Sequence, residues 1–321
     1  MAVFKFGPED VARVRFAFSP LWELVISLRT LRAPGAHALH LPWVRAVRPR
    51  LTALDLSELL ALVPQHGYIP DFLTPPPTTP LPDFASELAA VRLTPPALAA
   101  QEVREVGEDG ADPEVVARFL ADPAAGVRRL ADTLERFWEL ALAEYWPRIQ
   151  GLLETDVLRR TRKLAMGGAA ELFADLHPQV RWHGDRLEMV AKHCDVDDMG
   201  GSGLLLVPSV FAWPTIYTLV PPYHPMLAYP PDGVGTLWEA SPPPAPDALA
   251  QLIGRTRAEL LLSLGEPAST SALARRIGVT VGAVSQHLGV LHATGMVDRH
   301  RVGRQVLYRR TRSGDTLVAA P

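Results

Sequence analysis

Residues 241–247 read Ser-Pro-Pro-Pro-Ala-Pro-Asp. Proline lacks the backbone donor that helices and inner strands require, so no regular element passes through this run. A stretch of this kind acts as a stiff, extended spacer. The chain is therefore expected to fold as two bodies, residues 1–240 and residues 248–321, joined by a linker at 241–247. Its 321 residues suffice for one large and one small domain. The charges divide at the same place. Residues 246–321 carry ten Arg against five Asp and Glu, a net of +5, while the whole chain stands at −3, so residues 1–245 stand at −8. A basic tail on an acidic body points to a polyanion as the tail's partner.

Within residues 1–240 the hydrophobic period is mostly helical. Residues 21–31 and 51–63 have helical spacing, and residues 113–175 keep it at length. There Phe137, Trp138, Leu142, Tyr145, Trp146, Ile149 and Leu153 form a stripe that reads as bundle core rather than a cofactor box. Pro147 kinks this run or opens a new helix. Residues 74–82 read as a Pro-rich surface loop. From residue 180 the period shortens. Residues 180–183 and 186–190 flank Gly184-Asp185, a hairpin turn pair. Residues 204–210, 216–220 and 226–229 read as strands. The span 199–231 contains no Asp, Glu, Lys or Arg, yet seven prolines interrupt it. A lipid-exposed helix could not keep its backbone satisfied through such breaks, so short buried strands and no membrane span are expected. The fold class is α+β: a mainly helical N-terminal domain with a strand-rich end, followed by a smaller C-terminal module.

In that module, residues 248–253 make a short amphipathic helix. Thr256 and Glu259 fit a capping box for a second helix, which buries Leu260, Leu261 and Leu264 and stops at Gly265. Ser269 or Thr270 caps a third helix, which buries Leu273 and Ile277 and ends at Gly278. Thr280 caps a fourth, over residues 281–293, with Val284, Leu288 and Leu291 on one face. Small Ala274, Gly278 at the sharp turn and Val284 beyond it have the spacing of a helix-turn-helix. The outward face, from Thr280 and Val281 through Gly282, Ser285, Gln286 and Gly289, can reach base edges in a major groove. Gln can pair with adenine through two hydrogen bonds. His287 lies between the faces, where packing or a phosphate contact suits it better than base readout. Residues 297–301 and 304–308 flank Val302-Gly303 as a two-stranded wing. Val297, Val306 and Tyr308 are expected toward the core, and Arg299, Arg301 and Arg304 toward phosphates or a minor groove. From Arg275 to Arg312 there are eight Arg and a single acid, Asp298. A solvated surface would mix both signs. Double-stranded DNA is the expected partner, since the major groove of A-form RNA is too narrow for a reading helix.

Four segments carry a family resemblance: Ser271-Ala272-Leu273-Ala274-Arg275-Arg276-Ile277-Gly278, Val284-Ser285-Gln286-His287-Leu288-Gly289-Val290-Leu291, Gly295-Met296-Val297 and Gly303-Arg304-Gln305-Val306-Leu307-Tyr308. Over about 70 residues the chain resembles the ArsR family of bacterial winged-helix regulators. The resemblance implies a DNA-binding regulator, commonly a dimeric repressor. Residues 1–240 resemble an uncharacterised domain that precedes such winged helices, on Ser19-Pro20-Leu21-Trp22-Glu23, His40-Leu41-Pro42-Trp43 and Gly203-Leu204-Leu205-Leu206-Val207-Pro208-Ser209. Two features depart from the family. The Cys-x-Cys pair of its metal sensors is missing from residues 273–277, so their thiolate switch does not carry over. Nine residues follow Arg312, so the last helix, used for dimerisation in the family, is expected to be short or missing and a dimer is expected to use the large domain.

Other candidates are weaker. His183, His193, Cys194, Asp195, Asp197 and Asp198 are suitable ligand types at a spacing that fits no compact zinc pattern. His37 and His40 stand three apart and read as packing or surface residues. No Gly-rich phosphate loop, Gly-x-Ser-x-Gly elbow or His-Glu-x-x-His is found, so neither a cofactor nor an enzyme is expected. Trp182, Phe211, Trp213, Tyr217, Tyr223, Tyr229 and Trp238 gather in the strand-rich part and line either an apolar effector pocket or a packed sheet core. The single cysteine and the lack of a basic-then-apolar leader fit the cytoplasm. The expectation is a cytoplasmic, homodimeric transcription regulator, with the N-terminal domain dimerising, sensing a small-molecule effector, or both. The alternative is an effector-binding or protein-interaction scaffold that uses its winged helix for protein contacts.

Overall fold

The computed structural model describes residues 2–189, 196, 198–238, 246–265, 267–302 and 305–319. Two compact units are present, Met1–Trp238 and Glu239–Pro321. Residues 241–245 of the Pro-rich run, and Gly303 and Arg304, lie outside the described residues.

The first unit runs β1 (Ala2–Lys5), α1 (Pro8–Ala12), β2 (Arg15–Phe16), α2 (Pro20–Arg32), α3 (Leu41–Val47), α4 (Ser57–Leu62), α5 (Phe84–Arg92), α6 (Pro96–Glu108), α7 (Pro113–Ala121), α8 (Pro123–Ala141) and α9 (Trp146–Phe173). Strands β3 (Val180–His183), β4 (Arg186–Met189), β5 (Leu205–Pro208), β6 (Tyr217–Leu219) and β7 (Met226–Tyr229) follow. Many of the prolines open helices. At Ser19-Pro20, Asp112-Pro113 and Asp122-Pro123 the side chain of the first residue accepts a backbone N–H of the next turn. The proline that follows supplies a preset φ where no intrahelical donor is needed. Pro147 is the second residue of α9, in the first turn, where no side chain caps the helix.

The span without charged residues becomes a sheet buried on both faces. Its order is β2-β5-β7-β6, with β5 parallel to both β2 and β7 and β6 antiparallel to β7. Alternate residues of β5 and β7 face opposite ways. Leu205, Val207, Met226 and Ala228 join the core formed with α2 to α8 and the start of α9. Leu206, Leu227 and Tyr229 join a second core with the end of α9 and the antiparallel sheet β1-β4-β3. Burial on two sides explains the continuous apolar runs. α9 is kinked at Gly168, where φ is 67°, and its two segments serve different cores: Ile149 and Leu153 lie in the first, Leu172 and Phe173 in the second. The β3–β4 hairpin pairs His183 with Arg186 across Gly184-Asp185, and Gly184 has φ 68°. β2, at two residues, is too short to show a period, and β1, though as long as β3 and β4, lacks the turn pair that marks their hairpin.

The second unit runs α10 (Pro246–Ile253), α11 (Arg255–Ser263), β8 (Ala268–Ser269), α12 (Thr270–Ile277), α13 (Val281–Ala293), β9 (Val297–Val302), β10 (Gln305–Arg310) and α14 (Arg312–Ala319). Its core is Leu260, Leu261, Leu264, Leu273, Ala274, Val284, Leu288, Leu291 and Val297, with Ile277, Tyr308, Leu317 and Val318 against it. The sheet order is β8-β10-β9. Three helices with such a ribbon form a winged helix-turn-helix, and the whole chain is α+β. The capping box at Thr256 does not form. Gly254, at φ 85°, turns the chain sharply after α10 and becomes the N-cap, which leaves Thr256 inside the first turn. The last helix exists and is short. A Cβ at Gly314 of α14 would lie 2.2 Å from the Met296 carbonyl oxygen, so only glycine permits this approach to the base of the wing.

Candidate nucleic-acid interface

The turn between α12 and α13 is built by two caps and one left-handed residue. Ser269 accepts the Ala272 N–H at 3.3 Å to start α12. Gly278 ends it at φ 72°, ψ 29°, and donates its N–H to the Ala274 carbonyl at 3.0 Å. Thr280 then accepts the Ala283 N–H at 3.2 Å to start α13. Val284, Leu288 and Leu291 of α13 are buried against α11 and α12. Each is worth about 1.5–3 kcal/mol of burial, and together they fix which face of α13 looks outward.

That outward arc carries Val281, Gly282, Ser285, Gln286 and Gly289, all exposed, with His287 half-buried at its edge. The fold thus brings Thr280, Val281, Gly282, Ser285 and Gln286 onto one surface. Beside it, Ser271, Arg275, Gly278, Thr280 and Val281 line an open groove at the α12–α13 turn. Arg275 is exposed and makes no ion pair among the described residues. Sequence reasoning counted it within the basic stretch without placing it. Its position in the last turn of α12, facing the start of the next helix, was the available signal.

The wing corrects the expected arrangement. Tyr308 pairs with Arg299, Val306 with Arg301 and Arg310 with Val297. Residues 297, 299 and 301 therefore share a face with Val306 and Tyr308, and the arginines do not oppose the apolar residues. What separates them is distance along the ribbon and, for Arg299, its place on the edge strand. At the ribbon's base Val297 is buried, and Tyr308 of the central strand β10 packs on the core while its partner Arg299, on the edge strand β9, is exposed; nearer the tip Val306 is 39% exposed with its partner Arg301. The ribbon outruns the core it stands on. Arg304 lies outside the described residues. Other arginines are structural: Arg276 donates to the Ser263 carbonyl at 2.7 Å, and Arg310 donates to Asp315 at 2.8 Å and to the Leu261 carbonyl at 3.3 Å. Arg309 lies 3.9 Å from Asp298.

In the first unit the seven aromatic residues do not line one pocket. Phe211, Trp213, Tyr217, Tyr223 and Trp238 belong to the first core, and Trp182 and Tyr229 to the second, across the sheet. His40 is buried among them, stacked on Phe211 at 4.7 Å, and its Nδ1 accepts the Trp238 indole N–H at 2.9 Å. Burial and the nearby His37 lower its pKa to about 4. His37 Nδ1 lies 3.0 Å from the Trp213 carbonyl. Both histidines are packing residues. Glu23 was not singled out as a site residue from sequence. It is fully buried in α2 and accepts the Val210 and Phe211 N–H groups, at 2.7 and 3.1 Å, and the Ser209 hydroxyl at 2.9 Å. Burial lifts its pKa to about 7. Of the metal candidates, His183 faces Glu188 across the hairpin at 3.5 Å. His193, Cys194, Asp195 and Asp197 lie outside the described residues. Among the described residues no three such ligands come together, and no helix is long and apolar enough to cross a membrane.

Residues 252–300 match a helix-turn-helix domain family, and residues 101–234 match a family of unknown function (DUF5937). No curated protein and no solved structure matches the chain. The first match spans α11, α12, α13 and the start of the wing. The second runs from α6 past β7 within the first unit.

Proposed function

We propose that this chain is a sequence-specific DNA-binding transcription regulator of the ArsR type. It acts in the cytoplasm as a homodimer, by default as a repressor, with no catalytic step or cofactor of its own. One observation carries the reading: α13 turns an uncharged face bearing Ser285 and Gln286 to solvent while Arg275, Arg299 and Arg301 are exposed to either side of it in the chain. Such a division suits base edges at the centre and phosphates at the flanks. The helix-turn-helix match over the same helices supports it. The N-terminal unit supplies dimerisation and the effector response. An effector that prefers one dimer geometry would alter the spacing of the two reading helices, and with it the affinity.

The test is capture of genomic fragments by the purified full-length protein at moderate salt. Enrichment of an inverted repeat near promoters is expected, with retention lost in Gln286→Ala and Arg304→Ala. Folded protein that retains no sequence above background would refute the reading.

A further inference from the structure

The outward face of α13 is unusual in what it lacks. From Val281 to Ala293 there is no Arg, Lys, Asp or Glu. Guanine is most often read by Arg or Lys, which donate to both O6 and N7. This helix has neither. Val281 is 48% exposed at the first helical position, where an apolar side chain gains nothing from water. Gly282 and Gly289 stand on the same face, and a Cβ at either would meet no atom within 4 Å. Packing within the chain therefore does not demand them, and each weakens the helix relative to Ala. Two unforced glycines beside an exposed valine make a low, apolar surface that admits close approach of another molecule.

We propose that α13 reads A·T pairs. Gln286 donates its amide N–H to adenine N7 and accepts the N6 amino group on its Oε1. Val281 packs on the C5-methyl of a thymine, in the space that Gly282 leaves open. Arg275, Arg299 and Arg301 contribute affinity through phosphates and no base preference. This assignment rests on the DNA-binding reading above and adds the class of base pair that the helix selects.

The experiment uses the full-length protein to select bound duplexes from a random pool, followed by modified versions of the selected site. The strongest half-site positions are expected to be A·T. Replacing the contacted thymine by uracil deletes one methyl and is expected to weaken wild-type binding about fourfold, the worth of one buried methylene-sized group. The Val281→Ala variant is expected to bind both duplexes alike. Replacing the contacted adenine by 7-deazaadenine removes N7 and is expected to cost the wild type roughly fivefold or more, and Gln286→Ala nothing. Both side chains are exposed, so the variants are expected to fold, which circular dichroism checks. G·C pairs at the strongest positions, or equal wild-type binding to thymine and uracil duplexes, would overturn the proposal and leave DNA binding standing. Folded protein with no sequence-selective retention would overturn both.

Discussion

Gly289→Ala separates the stability of α13 from its function. Gly289 lies in the interior of the helix and on its exposed face, with open space where a Cβ would stand. Its φ is not among the positive ones, so Ala fits the backbone as it is. Ala in a helix interior is better than Gly by roughly 0.5–1 kcal/mol, because it restricts the unfolded chain. The unit Glu239–Pro321 falls in the size range where 1 kcal/mol moves the midpoint by about 4–8 °C. A rise of roughly 2–8 °C in its thermal transition is therefore expected, measured by calorimetry on the full chain. The added methyl also lands on the face proposed to meet DNA, so affinity for the selected site should fall in the same variant. A lower melting temperature would refute the claim that this surface is unoccupied in the folded chain. A higher melting temperature with unchanged affinity would show that the third turn of α13 stands clear of the DNA.

Gly278→Ala should act in the opposite sense. At φ 72° an L side chain costs roughly 1–2 kcal/mol, so the same transition should fall by several degrees. Trp43→Phe removes the indole donor to the Ala141 carbonyl, a buried bond of 2.9 Å, and should lower the urea midpoint of the N-terminal unit by the equivalent of about 1–3 kcal/mol. The pH response of that unit follows from Glu23, whose carboxyl burial raises from 4.5 to about 7 against the pull of three hydrogen bonds. The folded state holds this proton longer than the unfolded state, so the stabilisation is whole below about pH 4.5 and is lost as pH rises through about 7. His40, lowered to about 4, acts in the opposite sense between about pH 4 and 6.5, so the Glu23 contribution is read as the difference between wild type and Glu23→Gln, which should shrink as pH rises through about 7; a difference that grows with pH would refute the assignment. Arg299→Ala should reduce the salt slope of DNA binding by about one without altering the preferred sequence.

The helix-turn-helix was legible because each of its parts depends on neighbours in sequence. Ser269 and Thr280 cap across three residues, Gly278 sits at an obligatory left-handed turn, and Val284, Leu288 and Leu291 repeat at the helical period. The Gly-Asp hairpin was legible for the same reason. Long-range partners were not. Nothing near Glu23 in the chain indicates that its carboxylate meets residues 209–211, nearly two hundred positions away. The start of α11 was misplaced because Thr256 and Glu259 satisfy the capping pattern while Gly254, two residues earlier, makes the bend that decides it.

The wing shows why a correct set of residues can rest on a wrong arrangement. Period-2 alternation assigns Val297, Arg299 and Arg301 to one face, and pairing with Arg310, Tyr308 and Val306 fixes that face as the core-side one. Alternation alone would then bury the arginines, or expose Val297. Neither happens: Arg299, level with Tyr308, lies on the edge strand β9, Arg301 lies toward the tip, and Val297 lies at the base, which packs on the core. Past that support both faces meet water, and side-chain chemistry no longer needs to follow the pleat. A wing tip can therefore place arginines on either face, and its charge is set by what it approaches rather than by what it packs on. It follows that moving an arginine by one residue along the tip should be tolerated for folding. The same shift at the base, exchanging Val297 and Asp298, should not, since it would bring a carboxylate into a site that is 1% exposed.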